Sequence, residues 1–356
     1  MKSIKEIQHF DGVKVLVRLD LNVPIQDGII VDDFRIRKSL PLINYLIEKG
    51  ALLILISHIE TVDDPTLKPV AEYLQKIGID CEFEKNYKKA LGNKSKIVLL
   101  ENLRIHEGEK NNDKKFAKEL ASLADIYVNE AFSVSHRKHA SISAITEFIP
   151  SYAGFQFEDE VKHLSSAFNP EHPFLFILGG AKFETKLPLI EKFMPIADKI
   201  FVGGALANNF FVEQGVDIGD SLVSKENYDL QRFLQTNKII LPVDSLKKDN
   251  AIMDAGMKTV ELLREEIQKA KYILWNGPLG AYETGYRAST LQLAEILADA
   301  TKRGIKTIVG GGDTLATIAE LKLEDGFTFV STGGGAMLDY LANGTLPGIE
   351  ALNVEL

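Results

Sequence analysis

The chain has almost no cysteine, no long hydrophobic run and no excess of positive charge. Its 356 residues include one cysteine, Cys81, which excludes an internal disulfide framework and a cysteine-rich zinc site. No apolar run approaches the roughly 18 residues of a membrane span, and the first residues lack the apolar core of a signal peptide. The formal net charge of −9 argues against nonspecific nucleic-acid binding. These absences predict a cytoplasmic protein that binds neither membranes nor nucleic acid.

Two common nucleotide motifs are also missing. No Gly-x-Gly-x-x-Gly with a downstream acid occurs, and no Gly-x-x-x-x-Gly-Lys-Ser/Thr occurs. A dinucleotide-binding fold and a Walker-type loop are therefore both disfavoured. The sequence also supplies no argument for a Ser-His-Asp or Cys-His nucleophilic arrangement.

Short apolar runs alternate with helical patterns along the whole chain. Helical spacing predicts helices at 37–49 and 116–124. Strands are predicted at 13–19, 51–56, 97–100, 125–128, 174–178, 199–202, 238–241, 271–275, 306–309 and 327–330. Repeated β-α-β order predicts an α/β protein with mostly parallel sheets flanked by helices.

The alternation changes near the middle of the chain. A charged helical stretch at 158–168 is followed by a break at 169–173 that contains two prolines. We interpret this region as a connecting helix and a domain boundary. A second charged run, at 109–118, is predicted to be a solvated loop and helix start.

In the first half, arginine and histidine recur near the predicted strand ends. Arginine matches the geometry of carboxylate and phosphate. Because the carboxyl ends of parallel strands share one edge of a sheet, these residues predict a pocket for a small polyanion. They occur in the segments 18–22, 33–37, 57–58, 101–106 and 135–139.

In the second half, glycines follow the strands instead, at 179–180, 203–204, 310–312 and 333–335. Glycine turns at helix N-termini offer backbone N–H groups to phosphates. Lys182 and Lys186 are predicted on one face of the helix after the first turn, since they are four residues apart. Asp313 follows three glycines and could hold Mg²⁺ through carboxylate oxygen.

Together these patterns indicate a nucleotide domain joined to a small-anion domain by a helical hinge. Separate anion sites on two lobes suggest phosphoryl transfer with lobe closure that excludes water. Two alternatives remain at this point. One is a dehydrogenase on a similar fold, and the other is a kinase-like protein that has lost turnover and serves as a binding module.

Six motifs, in order along nearly the whole chain, resemble the phosphoglycerate kinase family. They are Arg18–Pro24, Leu99–His106, Gly179–Lys182, Trp275–Pro278, Gly310–Thr314 and Ser331–Ala336. The resemblance implies two doubly wound domains joined by a hinge helix, and a monomeric enzyme. Residues 1–153 would bind 3-phosphoglycerate or 1,3-bisphosphoglycerate, with 344–356 returning to that domain. Residues 154–170 would form the hinge helix and linker, and 171–343 would bind MgADP or MgATP.

The resemblance also implies roles for individual residues. The glycerate substrate would be held by Asp20, Asn22, Arg35, His58, Arg104 and Arg137. The nucleotide would be held by Lys186, Gly203, Gly204, Met253, Asn276, Pro278, Glu283, Gly312, Asp313 and Thr314, with Asp313 as the Mg²⁺ ligand. The transferred phosphoryl group would meet the catalytic residues Arg35, Lys182, Gly334 and Gly335.

The chain departs from the family pattern at several positions. Glu60 and Thr61 stand where a glycine and a substrate-binding arginine are expected, which predicts a high KM for 3-phosphoglycerate and a near-normal KM for ATP. Lys68 is the candidate to compensate for the missing arginine. Glu130 replaces an aspartate, Met253 replaces a leucine of the adenine pocket, and the segment 244–254 is shorter than usual.

Overall fold

The computed structural model describes residues 1–60, 65–92 and 95–354. The chain forms two compact units. Unit 1 comprises Met1–Val161 together with the segment that begins at Thr345, and unit 2 comprises Lys162–Gly344. The division between them falls within one helix, Phe155–Ser165.

Unit 1 is built on a six-stranded sheet whose neighbouring strands all pair in parallel. The strands of unit 1 are β1 (Lys14–Arg18), β2 (Ile25–Gln26), β3 (Ile29–Ile30), β4 (Leu52–Ile56), β5 (Cys81–Glu84), β6 (Ile97–Leu100), β7 (Ile126–Asn129) and β8 (Ser151–Ala153). The sheet has the order β5-β6-β4-β1-β7-β8, and β2 and β3 form a separate hairpin.

Helices flank this sheet because its central strands are buried on both faces. Every residue of β6 and β7 is buried, as are four of the five residues of β1 and β4. The helices are α1 (Phe34–Glu48), α2 (Lys68–Lys76), α3 (Glu107–Lys110), α4 (Lys114–Ala121) and α5 (Phe155–Ser165). Their apolar faces complete the core, as the buried Leu42 and Leu46 of α1 illustrate.

Unit 2 repeats this architecture. Its strands are β9 (Phe174–Leu178), β10 (Lys199–Val202), β11 (Ile239–Ile240), β12 (Ser245–Lys248), β13 (Ala251–Ala255), β14 (Tyr272–Asn276), β15 (Lys306–Gly310) and β16 (Phe329–Ser331). The six-stranded sheet has the order β11-β10-β9-β14-β15-β16 and is parallel throughout. Strands β12 and β13 form a separate antiparallel pair.

The helices of unit 2 are α6 (Phe183–Phe193), α7 (Leu206–Glu213), α8 (Gln231–Leu234), α9 (Met257–Lys269), α10 (Ala288–Lys302), α11 (Gly312–Glu320) and α12 (Gly335–Asn343). After α12 the chain returns to unit 1 as α13 (Pro347–Leu352). There the backbone N–H of Gly348 donates to the carbonyl of Ser135 at 2.9 Å. The predicted fold class, two mostly parallel α/β sheets flanked by helices, is confirmed.

Short 3-10 helices supplement these elements at Ile4–Glu6, Tyr87–Gly92, Leu103–Ile105, Phe132–Val134, Ala144–Glu147, Ser166–Phe168 and Tyr282–Thr284.

Candidate functional site

The carboxyl ends of four neighbouring strands of unit 1 meet at one edge of its sheet. In spatial order these strands are β6, β4, β1 and β7. Ligands of open α/β sheets bind at this edge. The segments that follow the four strands carry Asp20, Asn22, His58, Arg104 and Arg137, while Arg35 lies in the first turn of α1.

Asp20 positions Arg35. The Arg35 guanidinium forms an ion pair with the Asp20 carboxylate, and the hydroxyl of Ser133 donates to the same carboxylate oxygen at 2.5 Å. The backbone N–H of Asn22 donates to the other carboxylate oxygen at 3.3 Å. Asp20 is buried, whereas the Arg35 side chain keeps 27% of its surface exposed. The carboxylate therefore holds Arg35 with part of its surface accessible to a ligand.

Arg18 fixes the protonation state of His58, and both residues are buried. Nη2 of Arg18 lies 3.1 Å from Nδ1 of His58. Since a guanidinium only donates, Nδ1 must accept, and the ring proton of the neutral histidine must lie on Nε2. Burial lowers the pKa of His58 well below its usual value, and the nearby Arg18 lowers it further. His58 can thus present a neutral N–H donor at pH 7.

Arg104 is buried and faces an unexpected partner. Its side chain is 3% exposed, and Nη1 forms an ion pair with the carboxylate of Glu60. Within the described part of the chain, Nε and Nη2 of Arg104 have no hydrogen-bond partner. Thr61, where the family pattern has an arginine, lies outside the described residues. Lys68, the candidate for compensation, pairs with Glu72 in α2 at 3.6 Å.

Arg137 is exposed and belongs to the same cluster of positive charge. Its Nε donates to Nε2 of His136 at 3.3 Å. Partial burial opposes ionisation of Glu60, but the hydrogen bond and charge of Arg104, together with the smaller effect of the Arg137 charge, hold the pKa of Glu60 below its usual value. The edge therefore brings Arg137 close enough to Arg104 and Glu60 for these charges to interact.

The prediction of a solvated charged run at 109–118 is wrong at Glu109, which is fully buried. Its carboxylate accepts the backbone N–H and the hydroxyl of Ser141, at 3.0 and 2.7 Å. The same hydroxyl accepts a hydrogen bond from Nε of Arg18 at 3.0 Å. Glu109 thus supplies the negative charge that a buried Arg18 requires. Periodicity could not reveal this, because the three residues come from distant parts of the sequence.

In unit 2, three strand-end turns approach each other closely enough to require glycine. A Cβ on Gly179 would lie 2.2 Å from the carbonyl oxygen of Pro278. One on Gly204 would lie 2.7 Å from the backbone nitrogen of Gly180, and Gly204 also has a φ of +60°. Backbone packing therefore explains Gly179 and Gly204. By contrast, no described atom lies within 4 Å of the Cβ position of Gly312 or Gly334, so space for a ligand remains there.

Several helices begin at the carboxyl edge of this sheet without a side-chain cap, and three of them follow β9, β15 and β16. These three are α6, α11 and α12, whose N-cap residues are Lys182, Gly311 and Gly334, and none of the three receives a capping hydrogen bond from a described side chain. The strands that precede them, β9, β15 and β16, belong to one parallel sheet. Unpaired N–H groups and the positive ends of three helix dipoles favour binding of phosphate at this edge.

Lys186 is buried beside Asn276. Its ammonium group contacts the side-chain oxygen of Asn276, whose amide donates to the carbonyl of Gly310 at 2.9 Å. Burial lowers the pKa of Lys186 to about 7, against the opposing charge of Asp313. Burial and the nearby Glu283 raise the pKa of Asp313. A cation beside Asp313 would relieve the repulsion between these two carboxylates.

The prediction that Lys182 and Lys186 share a helix face is wrong. The helix α6 begins at Phe183, and Lys182 is its N-cap, with a ψ of 86° that is not helical. Lys182 is exposed whereas Lys186 is buried. The two lysines therefore lie in different environments, and burial disfavours the charged form of Lys186.

The remaining predicted nucleotide residues lie in the strand-end turns or near them. Thr314 is buried and its hydroxyl accepts the N–H of Gly277 at 3.1 Å. The carbonyl of Pro278 accepts the N–H of Gly180 at 2.8 Å. The backbone carbonyl of Met253 in β13 accepts a hydrogen bond from the N–H of Ala281 at 2.7 Å. This contact lies next to the 3-10 turn that carries the exposed Glu283. Gly203 directly follows β10, and Gly335 is the first residue of α12.

Comparisons with known proteins all give the same family. A model of the family described as phosphoglycerate kinase matches residues 4–344. The chain is 40% identical to a phosphoglycerate kinase of Dictyoglomus turgidum, with 99% of this chain and 98% of that protein covered. It is 41% identical to one of Thermosipho africanus, with 98% and 97% covered. Its structure is similar to that of phosphoglycerate kinase from Coxiella burnetii, with a TM-score of 0.86, 33% identity and 98% of both chains covered.

Proposed function

The chain belongs to the phosphoglycerate kinase family, and on that premise we propose that unit 1 holds the phosphoglycerate and unit 2 the nucleotide. The enzyme catalyses reversible phosphoryl transfer between 1,3-bisphosphoglycerate and ADP, which gives 3-phosphoglycerate and ATP in glycolysis. This identity replaces the dehydrogenase and the inactive binding module as interpretations. The observation that carries the assignment of ligands is that each sheet edge concentrates a different kind of anion-binding group.

The edge of unit 1 supports the glycerate assignment because its donors suit a small, highly charged anion. Arg35, Arg104 and Arg137 supply guanidinium groups, which form bidentate hydrogen bonds with carboxylate and phosphate. His58 supplies a neutral Nε2–H, and Asp20 and Asn22 suit a hydroxyl group between the two anionic ends. We assign these six residues to the glycerate substrate.

The edge of unit 2 supports the nucleotide assignment because it offers backbone N–H groups for a chain of phosphates. Lys186 and the start of α11 would hold the phosphates, with Thr314 at their end. Gly203, Gly204, Met253, Asn276, Pro278 and Glu283 would surround the rest of the nucleotide.

Asp313 fits a role as the protein ligand of Mg²⁺. Among the described residues no group of three or more His, Cys, Asp or Glu side chains could hold a metal ion. Mg²⁺ in nucleotide enzymes commonly takes one or two carboxylates, with phosphate and water as its other ligands. When bound, the ion neutralises charge on the phosphate oxygens.

The reaction requires alignment and charge stabilisation more than acid–base chemistry. The bond between phosphorus and the acyl oxygen breaks, a bond to the β-phosphate oxygen of ADP forms, and the leaving group is already a stable carboxylate. The protein must therefore hold the oxygens in line and stabilise charge on the phosphoryl group. We assign this stabilisation to Arg35, Lys182 and the N–H groups of Gly334 and Gly335.

A coupled assay tests the proposed activity and the alternatives together. With 3-phosphoglycerate, MgATP, NADH and glyceraldehyde-3-phosphate dehydrogenase as coupling enzyme, NADH should disappear only when both substrates are present. NADH loss without the coupling enzyme would indicate a dehydrogenase. Calorimetric binding of both ligands without turnover would indicate a binding module.

Three further features belong to the same proposal. Because the ligands are assigned to different units, we propose that binding of both closes the units, which would lower the radius of gyration in small-angle scattering below that with either ligand alone.

We also propose that the enzyme is a monomer. It should then elute at the mass of one chain in size-exclusion chromatography with light scattering. The glycolytic role supports a cytoplasmic location, which fractionation would test. Among the described residues, none of the helices combines the length and the apolar character that a membrane span requires.

A further inference from the structure

Glu60 engages two residues that we assign to the glycerate substrate. Its carboxylate forms an ion pair with Arg104, and its backbone N–H donates to the side-chain oxygen of Asn22 at 2.9 Å. Resting on the proposed function of this edge, we propose that the Glu60 carboxylate is an internal competitor that occupies Arg104 until phosphoglycerate displaces it. Glu60 thereby sets the affinity of this chain for its acceptor substrate.

The burial of the two partners supports displacement. The Arg104 side chain is 3% exposed and that of Glu60 is 44% exposed, so the arginine is fixed while the carboxylate has solvent to move into. Glu60 also lies 3.9 Å from the ammonium group of Lys110, whose side chain is 56% exposed. The carboxylate therefore retains a positive partner after it leaves Arg104.

The unused donors of Arg104 explain why substrate wins this competition. Glu60 contacts Nη1, while Nε and Nη2 have no partner among the described residues. Unsatisfied buried donors carry a desolvation cost. A phosphate group offers three acceptor oxygens and up to two negative charges, whereas a carboxylate offers two oxygens and one charge. Phosphate can therefore satisfy donors that Glu60 leaves unpaired.

Glu60→Gln is the direct test, because it keeps the shape of the side chain and removes the charge. The KM and the calorimetric Kd for 3-phosphoglycerate should fall about three- to tenfold, the range expected when the paired state occupies roughly 70–90% of molecules. The KM for MgATP should stay within about twofold. An unchanged Kd would overturn the proposal, and a higher one would show that Glu60 orients Arg104 for the substrate.

Glu147→Gln is the matched control. Glu147 lies in unit 1, is 44% exposed like Glu60 and pairs with Lys114 at 2.6 Å, but neither residue is assigned to the substrate. Its substitution removes the same charge from the same unit and should leave the Kd for 3-phosphoglycerate unchanged. A fall equal to that of Glu60→Gln would mean that net charge, and not occupation of Arg104, controls the affinity.

Arg104→Gln separates failure of this inference from failure of the proposed function. If Arg104→Gln leaves the Kd for 3-phosphoglycerate unchanged in a folded protein, Arg104 does not bind substrate and the assignment itself fails. If Arg104→Gln weakens binding, adding Glu60→Gln should not change the Kd for 3-phosphoglycerate any further, because the double variant has no arginine at position 104 for Glu60 to release. An equal gain in both backgrounds would show that Glu60 acts at a distance, and would overturn direct competition.

Discussion

At the scale of single residues, Lys182 is the side chain that we expect to act mainly on the transition state. It is exposed at the N-cap of α6 and makes no capping contact with a described side chain. We predict that Lys182→Ala lowers kcat at least about a hundredfold, because it removes charge that matters most while the phosphoryl group is in transit.

Steady-state kinetics and the calorimetric Kd for MgADP check this prediction, and the Kd should change far less than kcat. Lys192→Ala, at the other end of α6, is the control and should behave like the wild type. A kcat for Lys182→Ala within about threefold of wild type would remove Lys182 from the catalytic residues.

Lys186 should take up a proton when the nucleotide binds, because burial lowers its pKa to about 7 in the free protein. A bound phosphate favours the charged form and raises the pKa, so nucleotide binding should draw a proton from solution. We expect uptake of about 0.9 proton per MgADP at pH 8 and about 0.1 at pH 6.

Calorimetry in two buffers of different ionisation enthalpy measures this uptake. Lys186→Met has no titratable group at this position and should lose the difference between pH 6 and pH 8. Persistence of the full pH-dependent uptake in the variant would assign the proton to another group.

Single residues also show which features of the site the sequence could predict and which it could not. Strand-end position and residue type were enough to predict that Arg104 would lie at the ligand edge. They could not predict its pairing with Glu60, or the contact of Glu109 with Ser141, because each depends on packing between segments distant in sequence. The error at Lys182 had a local cause, since the helix starts one residue later than the i, i+4 pattern requires.

At the scale of elements, a buried carboxyl group caps the start of α5. Glu130 accepts the backbone N–H groups of Gln156 at 3.0 Å and Phe157 at 3.5 Å. Burial raises its pKa from 4.5 to about 8, although these two hydrogen bonds oppose the shift. The native state therefore keeps a proton that the unfolded chain releases near pH 4.5. Stability from this group is complete below that pH and is lost as the pH rises to about 8.

We predict that the free energy of unfolding falls with pH across this window by up to about 1.4 kcal/mol per unit. Glu130→Gln cannot ionise and should show a smaller fall. Urea unfolding of both proteins between pH 5 and pH 8 measures the difference. Parallel pH profiles would mean that Glu130 is ionised in the folded protein throughout.

The sequence predicted the central strands better than the edge strands. The runs at 174–178 and 199–202 match β9 and β10 residue for residue, because every residue of these strands except Lys199 is buried and apolar. Strands β5 and β8, at the two edges of the unit 1 sheet, were missed. The sequence of β5 alternates charged and apolar residues, and β8 has three residues, so neither gives a long apolar signal.

At the scale of the whole molecule, the separation into two units predicts that damage to one ligand site spares the other. Asp313→Ala should weaken MgADP binding by at least about tenfold through loss of a metal ligand, while the Kd for 3-phosphoglycerate should stay within about twofold. Titration of each ligand alone by calorimetry tests this. Equal losses for both would indicate that Asp313 supports the fold and not the nucleotide site.

The return of the chain to unit 1 after α12 also fixes an order of events during synthesis. The ribosome makes α13 only after all of Lys162–Gly344. Until then unit 1 lacks the segment whose Gly348 bonds to Ser135, whereas unit 2 is already continuous and complete. Synthesis of unit 1 is therefore completed only after synthesis of unit 2, although unit 1 is begun first.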